Sequence, residues 1–143
     1  MSIASLRLFG CVDYGEAHGF ADRVALREGD LLEPLVNEPP VDVIVSNPPY
    51  ISDSEWAEVP ANVKDHEPEL ALRSGRDGLD AIRRLIEAAP RHLAEGGWLL
   101  IECAASNAEL ACELMAGSDR LEAGDVLSDV EGLPRVATAR RTG

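Results

Sequence analysis

The sequence is poor in cysteine, and its three residues, Cys11, Cys103 and Cys112, include no Cys-x-x-Cys pair. An odd number without metal-ligand spacing argues against a disulfide framework and against a zinc site. The three are expected to be structural or incidental. No run approaches the ~20 apolar residues that cross a bilayer, and the opening residues lack the charged start and small-residue cleavage site of a signal peptide. These absences predict a cytoplasmic protein with no membrane partner. No internal repeat or low-complexity tract is present, and the proline-rich stretches are too short to be linkers, so residues 1–143 read as one domain. Basic residues are scarce as well: 13 Lys and Arg against 26 Asp and Glu give a formal net charge of −13. Such a chain repels a phosphate backbone unless its cations gather on one face. Arg83, Arg84 and Arg91 lie near one another in sequence, but acidic residues flank them, so stable nucleic-acid binding is not expected.

What the chain does have is an ordinary globular composition, 45% hydrophobic and 27% charged. A domain of this size buries roughly 68–70% of its unfolded surface and can support a core. Arg23–Arg27 alternates polar and apolar residues and ends at Glu28-Gly29-Asp30, which predicts a half-buried strand. Val41–Ser46 is more continuously apolar, as in a strand covered on both faces. It must stop at Asn47, because Pro48 and Pro49 cannot donate to a ladder and bias the preceding residue towards extended geometry. Leu79, Ile82, Leu85, Ile86, Ala89 and Leu93 recur at helical spacing and predict a helix over 77–94, kinked or broken at Pro90. Glu95-Gly96-Gly97 supplies a stop, Trp98–Ile101 a short buried strand, and Asn107 a cap for a helix with Leu110, Leu114 and Met115 on its apolar side. A strand around Leu121–Leu127, a turn near Gly132-Leu133-Pro134 and a strand Arg135–Arg140 close the chain. The order predicts an α/β fold with a mostly parallel sheet and a C-terminal antiparallel hairpin.

Asn47-Pro48-Pro49-Tyr50 is the constellation hardest to explain as packing. Open α/β sheets bind ligands at the carboxyl ends of buried strands. An amide or aniline-like nitrogen is a poor nucleophile, since its lone pair is delocalised into the neighbouring π-system. The Asn47 side-chain oxygen and the Pro48 carbonyl can accept both N–H bonds of a planar NH₂ group, orienting it and stabilising positive charge that grows on nitrogen. Two prolines hold the carbonyl rigidly, and Tyr50 can lie against the flat group and exclude water. As a bare triplet, Asn-Pro-Pro is also a common strand-ending turn. The apolar strand before it and the aromatic after it favour chemistry.

Val43–Ile51, followed by Glu67-Pro68-Glu69-Leu70-Ala71-Leu72 and Gly75-Arg76-Asp77-Gly78-Leu79, resembles the release-factor glutamine methyltransferases, the HemK/PrmC family. The likeness continues through Gly96–Glu102 to the closing strand and covers residues 15–140. It implies a truncated Rossmann-like class I methyltransferase domain. The implied activity is transfer of a methyl group from S-adenosyl-L-methionine to the N5 amide of glutamine in the Gly-Gly-Gln loop of peptide chain release factors. Carried over by position, Asn47 touches both cofactor and substrate, and Pro48, Pro49 and Tyr50 frame the glutamine. Asp30 and Leu31 match the loop bordering the cofactor's adenine. Glu67 supports the substrate loop or is a solvated loop acid.

The sequence also departs from that family. Its N-terminal helical partner-binding domain and its Asp-x-Gly-x-Gly-x-Gly cofactor loop are not found. Leu6–Asp13 can be read as the next strand, with Asp13 in place of the ribose-binding acid. Ala104 and Ala105 stand where glycines are usual. Loss of a central strand predicts exposed edges that pair with another chain, hence a homodimer, a rearranged sheet or a marginally stable chain. Two other functions compete. A truncated module can keep the amide-reading loop without cofactor affinity. Adenine-N6 nucleic-acid methyltransferases share the four-residue motif, but they need a flipped base and a basic track, which the acidic balance disfavours.

Overall fold

The computed structural model describes residues 24–143. The predicted strand over Leu6–Asp13, with Asp13 and Cys11, lies outside the described residues. A 3₁₀ turn at Glu33–Leu35 leads into β1 (Val41–Ser46). There follow α1 (Asp53–Trp56), α2 (Ala61–His66), a 3₁₀ turn at Glu69–Ala71, α3 (Asp80–His92) and β2 (Leu93–Glu102). The chain ends with α4 (Ala108–Ala116), β3 (Leu121–Ala123), β4 (Leu127–Ser128) and β5 (Pro134–Arg141). β1 and β2 are parallel, joined by the long crossover that carries α1 to α3, and β5 runs antiparallel to β2, β3 and β4. The sheet order is β1-β2-β5-β3, with β4 also on β5, so the predicted α/β sheet with an antiparallel C-terminal end is present, but among the described residues it is not mostly parallel: only β1–β2 is parallel, and β5 pairs antiparallel with β2, β3 and β4.

The period-3.6 stripe of α3 buries Ile82, Leu85, Ile86 and Ala89 over β2, where Leu99 and Ile101 are fully buried. Burying each such side chain contributes about 1.5–3 kcal/mol. α4 packs over β3 and β5, and small residues on both sides, Ala108 and Ala111 against Ala137 and Ala139, are buried there. Met115 fills the remaining space, whereas Leu110, expected on the apolar side, is exposed.

Several sequence expectations shift. α3 begins at Asp80 rather than Asp77, because Gly78 has φ +77 and belongs to a loop. It runs through Pro90 to His92. The proline falls in the last turn and removes one bond, and the ladder continues past it, since the Leu93 amide donates to the Ala89 carbonyl, so the expected break is absent. The Glu95–Gly97 stop is part of β2, which starts at Leu93. Gly96 at φ +76 lets the strand bulge, so Val41 pairs with Leu93 but Val43 with Trp98. Asn107 stands at the N-cap of α4 without a side-chain cap bond. Its Nδ2 instead donates to the Asp77 carbonyl. Within the predicted strand Arg23–Arg27, residues 24–27 are irregular, since no strand among the described residues offers them a ladder. The predicted Leu121–Leu127 strand is split into β3 and β4. Nor is β1 covered on both faces by the described residues: Ile44 and Ser46 are buried beneath the helices, while Val43 and Val45 are 51% and 69% exposed. Among the described residues no helix is long and apolar enough to cross a membrane.

Candidate functional site

β1 ends at Ser46 and delivers the motif at its carboxyl end. Asn47 is exposed, Pro48 is fully buried, and Pro49 and Tyr50 are half-buried. Among the described residues, neither the Asn47 side chain nor the Pro48 carbonyl takes part in a hydrogen bond. Among the described residues, both acceptors required for a planar NH₂ group are therefore uncommitted at the end of a strand whose other side chains, Ile44 and Ser46, anchor it in the core. The Ser46 hydroxyl next to them is buried without a partner.

The segment after the motif is clamped by backbone bonds. The Ile51 amide donates to the Leu72 carbonyl at 2.9 Å, the Ser74 amide to the Ile51 carbonyl at 2.9 Å, and the Asp53 amide to the Gly75 carbonyl at 2.9 Å. Arg73 reinforces the clamp through Asp53 at 2.8 Å and Glu69 at 2.5 Å. The strip on which the residues after the motif are laid is therefore Leu72–Gly75, and the preceding Glu67–Leu72 segment contributes the Leu72 carbonyl and, through Glu69, a partner for Arg73. Glu67 is half-buried at the end of α2, and its amide donates to the Val63 carbonyl. Ser52 then opens α1 with a capping box, its hydroxyl accepting from the Glu55 amide while the Glu55 carboxylate accepts from Ser52. The Ser52 hydroxyl first, and the Ser52 amide second, hold the Glu55 carboxyl below its usual range.

A second loop closes on the motif from the side of α3. A Cβ at Gly78 would lie 2.2 Å from the Tyr50 carbonyl oxygen, so only glycine permits this approach in a left-handed conformation. Asp77 accepts from the Leu79 amide at 3.1 Å and pairs with Arg83 at 2.6 Å. The Arg83 bond outweighs the opposing desolvation and, with the Leu79 amide, lowers the Asp77 carboxyl to about 2. The Ser74 hydroxyl accepts from the Ala81 amide at 2.9 Å and caps α3.

Asp30 and Leu31 come before β1. Asp30 is joined to Arg84, one turn into α3, by an ion pair of 2.5 Å. Leu31 is buried with φ 49, a left-handed conformation that costs a side-chain-bearing residue about 1–2 kcal/mol. Strain of this kind concentrates at ligand sites. The structure thus ties Asp30 to the helix that follows the Gly78 loop closing on Tyr50. Asp13 lies outside the described residues. Sequence reasoning missed Arg135. Its guanidinium is held mainly by Asp129, at 3.0 Å, with smaller contributions from Tyr50 and Glu102, which lie within electrostatic range. The β2–β5 register, which places Val136 opposite Glu102, sets it within electrostatic range of Tyr50. Asn107 is a further such residue, since its bond to the Asp77 carbonyl links α4 to the closing loop.

No family model matches the chain. It is 43% identical over 121 residues to a release factor glutamine methyltransferase of Prochlorococcus marinus, a match covering 82% of this chain and 40% of that protein. It is 38% identical over 126 residues to a protein of the same name from Thermosynechococcus vestitus, covering 87% and 43%. The chain therefore spans about two fifths of the length of the curated relatives it matches. Among solved structures, TrmN from Thermus thermophilus superposes with a TM-score of 0.61 at 15% identity, covering 96% of this chain and 34% of that one. At that identity the likeness establishes a shared Rossmann-like fold.

Proposed function

From the premise that this chain is homologous, over the residues matched, to part of the release factor glutamine methyltransferases, we propose that it holds the amide-reading half of a protein-glutamine N5-methyltransferase. The substrate is the glutamine of the Gly-Gly-Gln motif in peptide chain release factors, and the methyl donor is S-adenosyl-L-methionine. The observation that carries this reading is the pair of uncommitted acceptors, the Asn47 side-chain oxygen and the Pro48 carbonyl, at the carboxyl end of β1. The glutamine NH₂ donates one N–H to each. Both acceptors sit on rigid backbone, so they need little reorganisation as positive charge builds on nitrogen. Tyr50, fixed through Gly78, lies along the amide plane and limits its rotation.

The donor supplies a methyl group on a positively charged sulfur. Asp30 and Leu31 fit its adenine side: Leu31 offers an apolar wall in a strained loop, and Asp30 an exposed carboxylate already oriented by Arg84. Asn47 lies between the two sides, and Glu67 supports the strip that carries the substrate loop.

The test is isothermal titration with S-adenosyl-L-methionine, followed by transfer of labelled methyl to a release-factor Gly-Gly-Gln peptide. Saturable binding with transfer to the glutamine N5 is expected. Asn47→Ala should lower transfer by about 100-fold or more, the scale of losing one preorganised hydrogen-bond partner, with unchanged circular dichroism. Silence at millimolar cofactor would instead assign the chain as a module that reads an amide without catalysis.

A further inference from the structure

The beginning of β5 meets the carboxyl ends of β1 and β2 at one edge of the sheet. β1 runs parallel to β2, with Ser46 beside Ile101, and β5 runs antiparallel, with Ala137 opposite Ile101 and Val136 opposite Glu102. One step further, the Cys103 amide donates to the Arg135 carbonyl at 3.0 Å. Arg135 therefore stands at the level where β1 gives way to Asn47, two strand spacings or about 10 Å across the sheet. Tyr50 and Glu102 lie within electrostatic range of its guanidinium.

The loop that leads to Arg135 is closed without the arginine. The Asp129 amide donates to the Leu133 carbonyl at 2.8 Å, and the Gly132 amide to the Asp129 carbonyl at 3.0 Å. Oδ1 of Asp129 accepts the Glu131 and Leu133 amides at 2.9 and 3.0 Å. Oδ2 accepts from Arg135 Nε at 3.0 Å. The turn is thus complete on its own bonds, and what the last one fixes is the arginine side chain. A guanidinium carries five N–H donors, of which only Nε–H is bonded among the described residues. The Nη atoms are consequently preorganised and open at the edge that carries Asn47.

Donors so placed take an oxygen acceptor, and the local charge selects which kind. Asp129 and Glu102 set two carboxylates around one guanidinium, in a chain of net charge −13. An incoming carboxylate meets an existing excess of negative charge, whereas a neutral carbonyl oxygen does not.

We propose that Arg135 is a substrate-binding residue, whose Nη atoms donate to a main-chain carbonyl oxygen beside the glutamine in the substrate peptide. The inference rests on the reading of Asn47 and Pro48 above and extends it: they hold the side-chain amide, and Arg135 holds the backbone that bears it. Asp129 orients Arg135 for this contact.

The test measures binding of fluorescein-labelled Gly-Gly-Gln peptides to the full chain by fluorescence anisotropy. Arg135→Met should weaken binding by about 10-fold or more, the scale of losing a hydrogen bond to a charged group. Hydrogen exchange at the Glu131 and Leu133 amides should not change, since Asp129 still accepts both. In two further peptides an ester replaces the peptide bond before or after the glutamine, which makes the preceding carbonyl a weaker acceptor. One of these esters should cost the native chain about 3-fold or more, and that penalty should vanish in Arg135→Met, as coupling between two contacting groups requires. Native affinity in Arg135→Met overturns the proposal, as do ester penalties that are absent from the native chain or equal in both proteins. A peptide with glutamate next to the glutamine that binds more tightly, and only when Arg135 is present, assigns the contact to a carboxylate and overturns it too. Binding lost in Asn47→Ala but kept in Arg135→Met leaves the proposed function standing without this contact. Binding lost in Arg135→Met but kept in Asn47→Ala overturns the amide-reading role of Asn47 instead.

Discussion

The body of the molecule beneath α3 and α4 and the loop cap over residues 47–78 are held together by different physics. In the body, Leu79, Ile82, Leu85, Leu99 and Ile101 are fully buried and the contacts are apolar. In the cap, order comes from backbone clamps at Ile51, Asp53 and Ser74 and from polar staples, the exposed pairs of Arg73 with Asp53 and Glu69 and of Arg83 with Asp77, and the part-buried pair of Ser52 with Glu55. A core holds whatever its neighbours do, because burial is non-directional and cumulative. A site must keep its acceptors free, so its loops are fixed by directional bonds that leave Asn47 and the Pro48 carbonyl unspent.

The comparison breaks most visibly in the body. Leu85→Ala removes a fully buried side chain from the middle of α3 and should cost about 2–5 kcal/mol. Val45→Ala, on the open face of β1, should stay within about 0.5 kcal/mol. Urea midpoints of the two variants measure the difference, and equal losses would mean that the open face is covered in the isolated chain. Next in size is the joint between body and cap. Gly78→Ala sets a Cβ against the Tyr50 carbonyl at a positive φ, which should cost about 1–3 kcal/mol. The same variant should lose affinity for a Gly-Gly-Gln peptide even at temperatures where circular dichroism reports a folded chain. Retained affinity would show that Tyr50 does not need this loop.

How much was legible in the sequence follows the same division. β1 was readable to the residue, because an apolar strand interrupted by two prolines leaves the ladder no other ending. The stripe of α3 was readable too, as burial of Ile82, Leu85, Ile86 and Ala89 follows from spacing alone. Its start was not. Asp77-Gly78 reads locally as the opening of a helix, whereas Gly78 is shaped by its approach to Tyr50, which is distant in sequence. The extension of β2 back to Leu93 was hidden for a similar reason: Gly96 reads as a stop, but a partner strand turns it into a bulge. For Arg23–Arg27 alternation promised a strand, yet a strand exists only beside another. In the site, Asn47 through Tyr50 were visible as a motif. Arg135 and Asn107 were not, because only the sheet register sets Arg135 within electrostatic range of Tyr50 and only one side-chain bond links Asn107 to the closing loop.

The smallest effect expected is also the one that separates the two regions by chemistry rather than by place. The Asp77 carboxyl is lowered from 3.8 to about 2, chiefly by its bond to Arg83. A carboxyl depressed on folding adds stability that is present in full above its unfolded value and declines as pH falls towards its folded value. The gap in urea midpoint between the native chain and Asp77→Asn should therefore be constant from neutral pH to about 5, shrink as the pH falls past the unfolded value near 3.8, and disappear only below the folded value of about 2. Both partners are exposed, so water and salt screen the pair and the gap should be slight and should narrow with added salt. The gap between the native chain and Leu85→Ala has no such titration, since no proton is bound or released by leucine. If the two gaps fall together with pH, the cap and the body unfold as one unit, and the polar staples are holding the core rather than the loop over Asn47.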